Sequence, residues 1–331
     1  MNAQTQWLGA ADPARREAFQ RALNVAGAGT VLLQKMINRT VQQLHLRELG
    51  ASAVLPRKPG MGDAAYINQR TPGATGGSWL DDTDAVPEET GAYAQVPFPY
   101  QSLATRGKVT RFLQATGRSY GDTLAGEISG KTGDFTETFE SGLVLGDTAA
   151  TPKQFDGLMT LIGGVSGQVI AQTSVAAGDA LTLEKLDETI DAVKGSAAKS
   201  DLVILASFQG KRLLNAALQS QQQFNDMVDI AAGFRVRTYD GIPIVTSTSV
   251  PNDSLWSGTA ITTLEGEVTT PTTSLIVVNT RYVWIEELTS MTVMPLSKTD
   301  SQFDQFDLFW DGSLVLANTK GAAMLSGITT L

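Results

Sequence analysis

The string Ala125-Gly126-Glu127-Ile128-Ser129-Gly130-Lys131-Thr132 brings this chain nearest to nucleotide chemistry. A phosphate-binding loop needs glycines for a tight turn, a lysine for the phosphates and a hydroxyl for magnesium. Here Ala125 stands where the first glycine belongs, and residues 114–124 are polar and helix-like, not a buried strand. The candidate partner strand, 202–206, lacks the terminal aspartate that would help hold the metal. A P-loop nucleotide-binding protein using Lys131 and Thr132 is therefore the weakest functional reading, and the string reads as coincidence inside a helix. Asp81, Asp82, Asp84, Glu88 and Glu89 crowd together, but they lack the EF-hand spacing and its central glycine. They fit a solvated loop tip or a charge patch facing another subunit. The glycine-rich run 73–77 has no strand leading in and no helix leading out. Glu137 and Glu140 are expected on the exposed side of an amphipathic helix, as surface charges and not as an acid–base pair.

Two counts remove most other chemistry. The 331 residues contain no cysteine, which excludes disulfides, thiolate catalysis and cysteine-bound zinc. They contain one histidine, His45, in the helix-like run 41–46, where nothing nearby gives it the role of a base. No metal, no cofactor and no catalysis are expected. With 42% hydrophobic and 18% charged residues the chain can bury a core and is not disordered. No apolar run approaches the roughly 18 residues of a membrane helix, and no secretory signal is visible, so a soluble protein is expected. The net charge of −9 is unevenly spread. Residues 1–58 carry eight Lys/Arg against three acids, which leaves the rest of the chain strongly acidic. An acidic body will not wrap nucleic acid tightly. The basic segment can meet an acidic partner, including another copy of the chain.

The elements that must carry these residues follow from periodicity and turn signals. Asp12-Pro13 opens one helix and Thr30 caps a second, together an arm. Residues 55–112 are rich in Gly, Pro and short polar clusters. Within them Val96, Phe98 and Tyr100 alternate with Pro97 and Pro99, which confines that strand to an edge. An extended hairpin is expected, needing a neighbour to bury Trp79, Tyr93, Phe98 and Tyr100. Leu124, Ile128, Phe135 and Phe139 mark one face of a long helix, although Gly126, Gly130 and Gly133 each cost it about 1 kcal/mol. Packing, including close approach of a neighbouring backbone, is expected to offset that cost. Thr182 and Ser207 cap two further helices, and 202–206 reads as a buried strand. Strand-rich runs follow at 275–288 and 292–296, and Asp311-Gly312 signals a hairpin between Phe306-Asp307-Leu308 and Leu314-Val315-Leu316. The fold class is α+β, helices first and strands dominating the C-terminal half.

This order of elements resembles the tailed-bacteriophage major capsid proteins of the Hong Kong type, a fold shared with encapsulins and the herpesvirus capsid floor. Three passages carry the resemblance. They are Phe139-Glu140-Ser141-Gly142-Leu143-Val144-Leu145-Gly146-Asp147 followed by Pro152 and Phe155-Asp156-Gly157-Leu158; residues 202–206 with Gly241-Ile242-Pro243-Ile244-Val245 and Ser249-Val250-Pro251; and the closing strands of 306–325. The resemblance implies an N-arm (1–54), an E-loop (55–113), a P-domain with a long spine helix (114–200), an A-domain (201–289) and closing strands shared by both (290–331). It implies a shell subunit that assembles into hexamers and pentamers around double-stranded DNA, made in the bacterial host cytoplasm and residing in the virion. The implied partners are further copies, scaffold, portal and decoration proteins and non-specifically touched DNA, with no membrane. An encapsulin-type compartment is the alternative. Some members crosslink an E-loop lysine to a late asparagine; residues 295–309 contain no asparagine, so no such crosslink is expected. Candidate subunit contacts are Arg57, Lys58, Trp79, Glu88, Glu89, Tyr93, Phe98 and Tyr100.

Overall fold

The computed structural model describes residues 50–71, 78–86, 88, 91–117, 122–172, 179–193, 201–220, 227–231, 234–252, 254–256, 261–263, 272–296 and 302–330. The expected arm helices, His45, the run 73–77 and Glu89 lie outside them. The described residues begin with α1 (Gly50–Val54) and β1 (Arg57–Pro59), followed by β2 (Ala64–Thr71), β3 (Ala92–Pro99) and β4 (Gln101–Thr110). Helix α2 (Arg111–Gly117) precedes the long α3 (Thr123–Leu145), then come α4 (Leu158–Gly163), β5 (Val169–Ala171) and α5 (Leu183–Ala192). β6 (Leu202–Ala206), α6 (Phe208–Ser220), β7 (Met227–Ala231), β8 (Phe234–Tyr239) and β9 (Ile242–Thr246) follow. The chain closes with β10 (Ser254–Trp256), β11 (Ile261–Thr263), β12 (Thr272–Asn279), β13 (Val283–Pro295), β14 (Phe303–Leu316) and β15 (Ala322–Thr329).

Two sheets organise the body. One has seven strands in the order β5-β15-β12-β6-β9-β8-β7, and the other has four in the order β1-β13-β14-β4. Both faces of the larger sheet are covered, so β6 and the 275–278 stretch of β12 are apolar throughout, and both strands are buried at every position. Side chains alternate across a strand. Val203, Leu205, Ile276, Val278 and Met324 therefore meet Phe139, Leu143, Met159 and Ile162 of α3 and α4. Leu202, Ile204, Leu275, Val277 and Leu325 meet Leu183, Leu186, Leu214 and Leu218 of α5 and α6. Helix α6 starts as expected, with the Ser207 hydroxyl accepting the Gly210 N–H at 2.9 Å.

Helix α3 fulfils the periodicity that announced it. Asp122 caps it through Leu124 N–H and Ala125 N–H, at 3.0 and 3.1 Å. At its far end two glycines of the first family passage meet. Gly157 N–H donates to Gly146 O at 2.8 Å, and a Cβ on Gly146 would stand 2.9 Å from Gly157 N. Their φ values of −50° and −79° are ordinary, so close approach, not backbone freedom, requires glycine here. Among the described residues no backbone crowds Gly126 or Gly130: a Cβ at either would meet nothing within 4 Å. At these two positions the described residues do not supply the expected close approach.

Three sequence expectations need correction. Asp311-Gly312 is not a turn, because β14 runs unbroken from Phe303 to Leu316. Phe306, Leu308, Trp310, Leu314 and Leu316 keep one face of that strand and join one core. Gly312 falls in the same row, where a Cβ would stand 2.6 Å from the Trp310 ring and collide with the Glu286 carbonyl. The run 275–288 is two strands, split where the Asn279 side chain accepts the Arg281 N–H at 3.0 Å. The gap expected after 288 is instead an irregular stretch within β13, where the register shifts between Glu287 and Thr292.

Candidate subunit-contact site

The P-loop-like string lies inside α3, so no loop exists there to receive phosphate, and the N–H groups of Leu124 and Ala125 at the helix start are taken by the Asp122 carboxylate. The Thr132 hydroxyl donates to its own helix, to Ile128 O at 2.8 Å. Among the acids at the hairpin tip, Asp84 accepts the Asp81 N–H at 3.0 Å, which closes a small turn. Among the described residues no group of three His, Cys, Asp or Glu side chains could hold a metal ion.

The hairpin itself is formed by β2 and β3, paired antiparallel with Ala65 opposite Phe98 and Arg70 opposite Tyr93. Its alternation sorts two faces. Ala65, Ile67 and Phe98 turn toward Trp284 and Val315 on the four-stranded sheet. Gln69 Nε2–H donates to Ala317 O at 3.1 Å. Further out the residues are exposed: Trp79 fully, and Leu80, Val86, Glu88 and Tyr93 as well. Phe98 and Tyr100 are half-buried against the chain's own sheet, which supplies part of their cover. Arg57 and Lys58 also have partners within the chain. Arg57 Nη1 donates to Glu287 Oε1 at 2.7 Å, and Lys58 Nζ sits 3.3 Å from the Trp284 ring centroid.

These contacts belong to a root that sequence reasoning missed. Glu286 and Glu287 are adjacent on β13 and so point to opposite faces. Glu287 Oε1 also accepts the Trp310 Nε1–H at 2.9 Å. Glu286 Oε1 accepts the Tyr100 hydroxyl at 2.7 Å, and its Oε2 accepts the Trp284 Nε1–H at 3.1 Å.

Burial, first, and then the hydrogen bond and negative charge of Glu286 push the Tyr100 phenol from 10.0 up to about 12. The folded subunit keeps this proton where the unfolded chain gives it up. The contribution of the contact is therefore complete below pH 10 and is lost as pH climbs from 10 toward 12. In a stopped-flow alkaline jump, Tyr100→Phe is expected to remove one phenolate from the late-titrating fraction. An unchanged late amplitude would contradict the assignment. Tyr239 remains in that fraction as a reference, raised by burial and by its 2.7 Å hydrogen bond to Asp187.

A second site overturns an expectation. Glu137 is exposed, but Glu140 is fully buried. Its Oε1 accepts the Ala51 N–H at 2.7 Å and the Ser247 hydroxyl at 2.8 Å, while its Oε2 accepts the Ser52 N–H at 2.9 Å. One carboxylate thus joins α3, the start of α1 and the loop after β9. Gly50 completes the joint, since a Cβ there would stand 2.9 Å from Val245 Cγ1 and collide with the Thr246 carbonyl.

Comparison with known proteins bears on the family and the fold. A family model described as SU10 major capsid protein matches residues 100–329, more than half of the chain. No curated protein matches the chain in sequence. Among solved structures, the holo-SrpI encapsulin complex from Synechococcus elongatus PCC 7942 is similar over 92% of this chain and 95% of its own, with TM-score 0.66 and 15% identity. The capsid of an empty GTA particle, computed with C5 symmetry, is similar over 93% and 98%, with TM-score 0.66 and 14% identity. The capsid asymmetric unit of cyanophage A-1(L) is similar over 90% and 98%, with TM-score 0.64 and 15% identity. At such identities the similarity is one of fold.

Proposed function

The chain belongs to the SU10 major capsid protein family, and from that premise we propose that it builds its virion shell as hexamers and pentamers closing an icosahedron around double-stranded DNA. The reading includes no catalysis, and the chain's acidic balance suits it, since an acidic wall does not trap packaged DNA. Scaffold, portal and decoration proteins are the further partners, and the host cytoplasm is the place of assembly. In domain terms the reading divides the chain into N-arm (1–54), E-loop (55–113), P-domain (114–200), A-domain (201–289) and shared closing strands (290–331).

The observation that carries the subunit contacts is the outer half of the hairpin. Trp79, Leu80, Val86 and Tyr93 stand exposed on a protruding ribbon, an arrangement suited to cover by another subunit and costly for a lone one. Glu88 adds charge at the same end, Glu89 follows it in sequence as a further contact candidate, and Arg57, Lys58, Phe98 and Tyr100 set the ribbon's base. The double variant Trp79→Ser/Tyr93→Ser is expected to stay folded, with the wild-type circular dichroism, and to lose particle formation. Particles of wild-type yield would contradict these contacts. A protein compartment of the encapsulin type is the second reading, supported by the similarity to the SrpI shell. Nuclease-protected DNA inside purified particles separates the two.

A further inference from the structure

We propose that Glu286 fixes the angle at which the β2–β3 hairpin leaves the body, and thereby the geometry in which subunits tile. The inference rests on the shell reading above and names the residue that positions its main contact element.

Both legs of the hairpin converge on this carboxylate. The outgoing leg is β1, whose Lys58 Nζ lies over the Trp284 ring, while the Trp284 Nε1–H is held by Glu286 Oε2. The returning leg passes through Tyr100, between β3 and β4, whose hydroxyl is held by Glu286 Oε1. Both oxygens are therefore engaged, one for each leg. Gly60 lets the legs cross closely, because a Cβ there would stand 2.6 Å from the Tyr100 hydroxyl and 3.3 Å from Glu286 Cγ. Gly60 N–H itself donates to Glu287 O at 2.7 Å.

Outward of this root the restraint thins. The small apolar cluster of Ala65, Trp284 and Val315 holds the inner half, and the Gln69 bond to Ala317 O is a single hydrogen bond further along β2. Arg70 and residues 92–95 are exposed. A strand rises about 3.3 Å per residue, so an eight-residue ribbon is about 26 Å long and a root rotation of about 10° swings its tip about 5 Å. That displacement exceeds what a packed contact at Trp79 and Tyr93 tolerates. The carboxylate accepts both the Trp284 N–H and the Tyr100 hydroxyl. A glutamine has one acceptor; with that oxygen on the donor-only Trp284 N–H, its NH2 must donate to the Tyr100 oxygen, which reverses that bond and removes its charge.

The test compares wild type, Glu286→Gln and the milder Tyr100→Phe by hydrogen exchange and by electron microscopy of their particles. Exchange at the Gly60 and Tyr100 amides is expected to quicken about tenfold in Glu286→Gln, with the β12 amides unchanged. Particles of both variants are expected to vary in diameter where the wild type gives one size. Unchanged exchange at both root amides, or variant particles with the wild-type size distribution, would overturn the proposal. If Glu286→Gln does not fold, Tyr100→Phe carries the same two readouts. Absence of wild-type particles would count against the shell reading, and the exchange result would still decide the role of Glu286.

Discussion

Replacing Trp310 with alanine is expected to lower subunit stability by about 3–5 kcal/mol, the range for emptying a large aromatic site in a packed core. Trp310 is 1% exposed and belongs to the core cluster that α3 shares with β14. It packs edge-on against Phe139 of α3, with ring centroids 4.7 Å apart, and against Phe155 at 5.7 Å. Its Nε1–H satisfies Glu287, which also pairs with Arg57. Truncation opens a void between helix and sheet and removes one of the donors on that carboxylate. Gly312, which has no side chain to swing into the void, cannot repair it. The measurement is chemical denaturation in the assembly-blocked Trp79→Ser/Tyr93→Ser background, so that shell formation does not mask subunit stability. Trp310→Phe should recover a large part of the loss. A loss under about 1 kcal/mol for the alanine variant would show that the site collapses freely, contrary to this packing.

Glu140→Ala is expected to cost about 3 kcal/mol, while Glu137→Ala, three residues away on the same helix, stays within about 0.5 kcal/mol. The difference arises from what each carboxylate touches. Glu140 satisfies two main-chain N–H groups and one hydroxyl in the interior, and its removal strands all three. Relief of a buried charge offsets part of this, which is why the sum is held below three full penalties. Glu140→Gln should fall between, because one amide oxygen replaces two carboxylate oxygens. Denaturation of the three variants in the same background decides the matter. Equal stability for Glu140→Ala and Glu137→Ala would return Glu140 to the surface role that periodicity first suggested.

That contrast shows where sequence reasoning reached and where it stopped. The core face of α3 was legible in Leu124, Ile128, Phe135 and Phe139, since helix periodicity is a local property. Glu140 was not, because α1 and the loop after β9, which bury it, come from distant parts of the chain. A signal was present: Gly142-Leu143-Val144-Leu145-Gly146 is apolar around its whole circumference, so the end of α3 had to be enclosed and a carboxylate there had to find donors. The proline-punctuated ribbon was legible from Pro97 and Pro99. The strand after it, β4, was obscured by Gly107, which lies beneath the Phe306 ring of its partner strand. Asp311-Gly312 misled for the same reason, a glycine required by an aromatic ring and not by a turn. The hairpin root was invisible because Glu286 meets Tyr100 across 186 residues of sequence.

Electron microscopy of the protein expressed alone and purified, with sedimentation of the same sample, decides whether the subunit closes into a shell. Closed shells of many copies that dissociate only under denaturing conditions are expected. A single-copy species at every concentration and salt condition, with its exposed ribbon intact, would contradict that expectation.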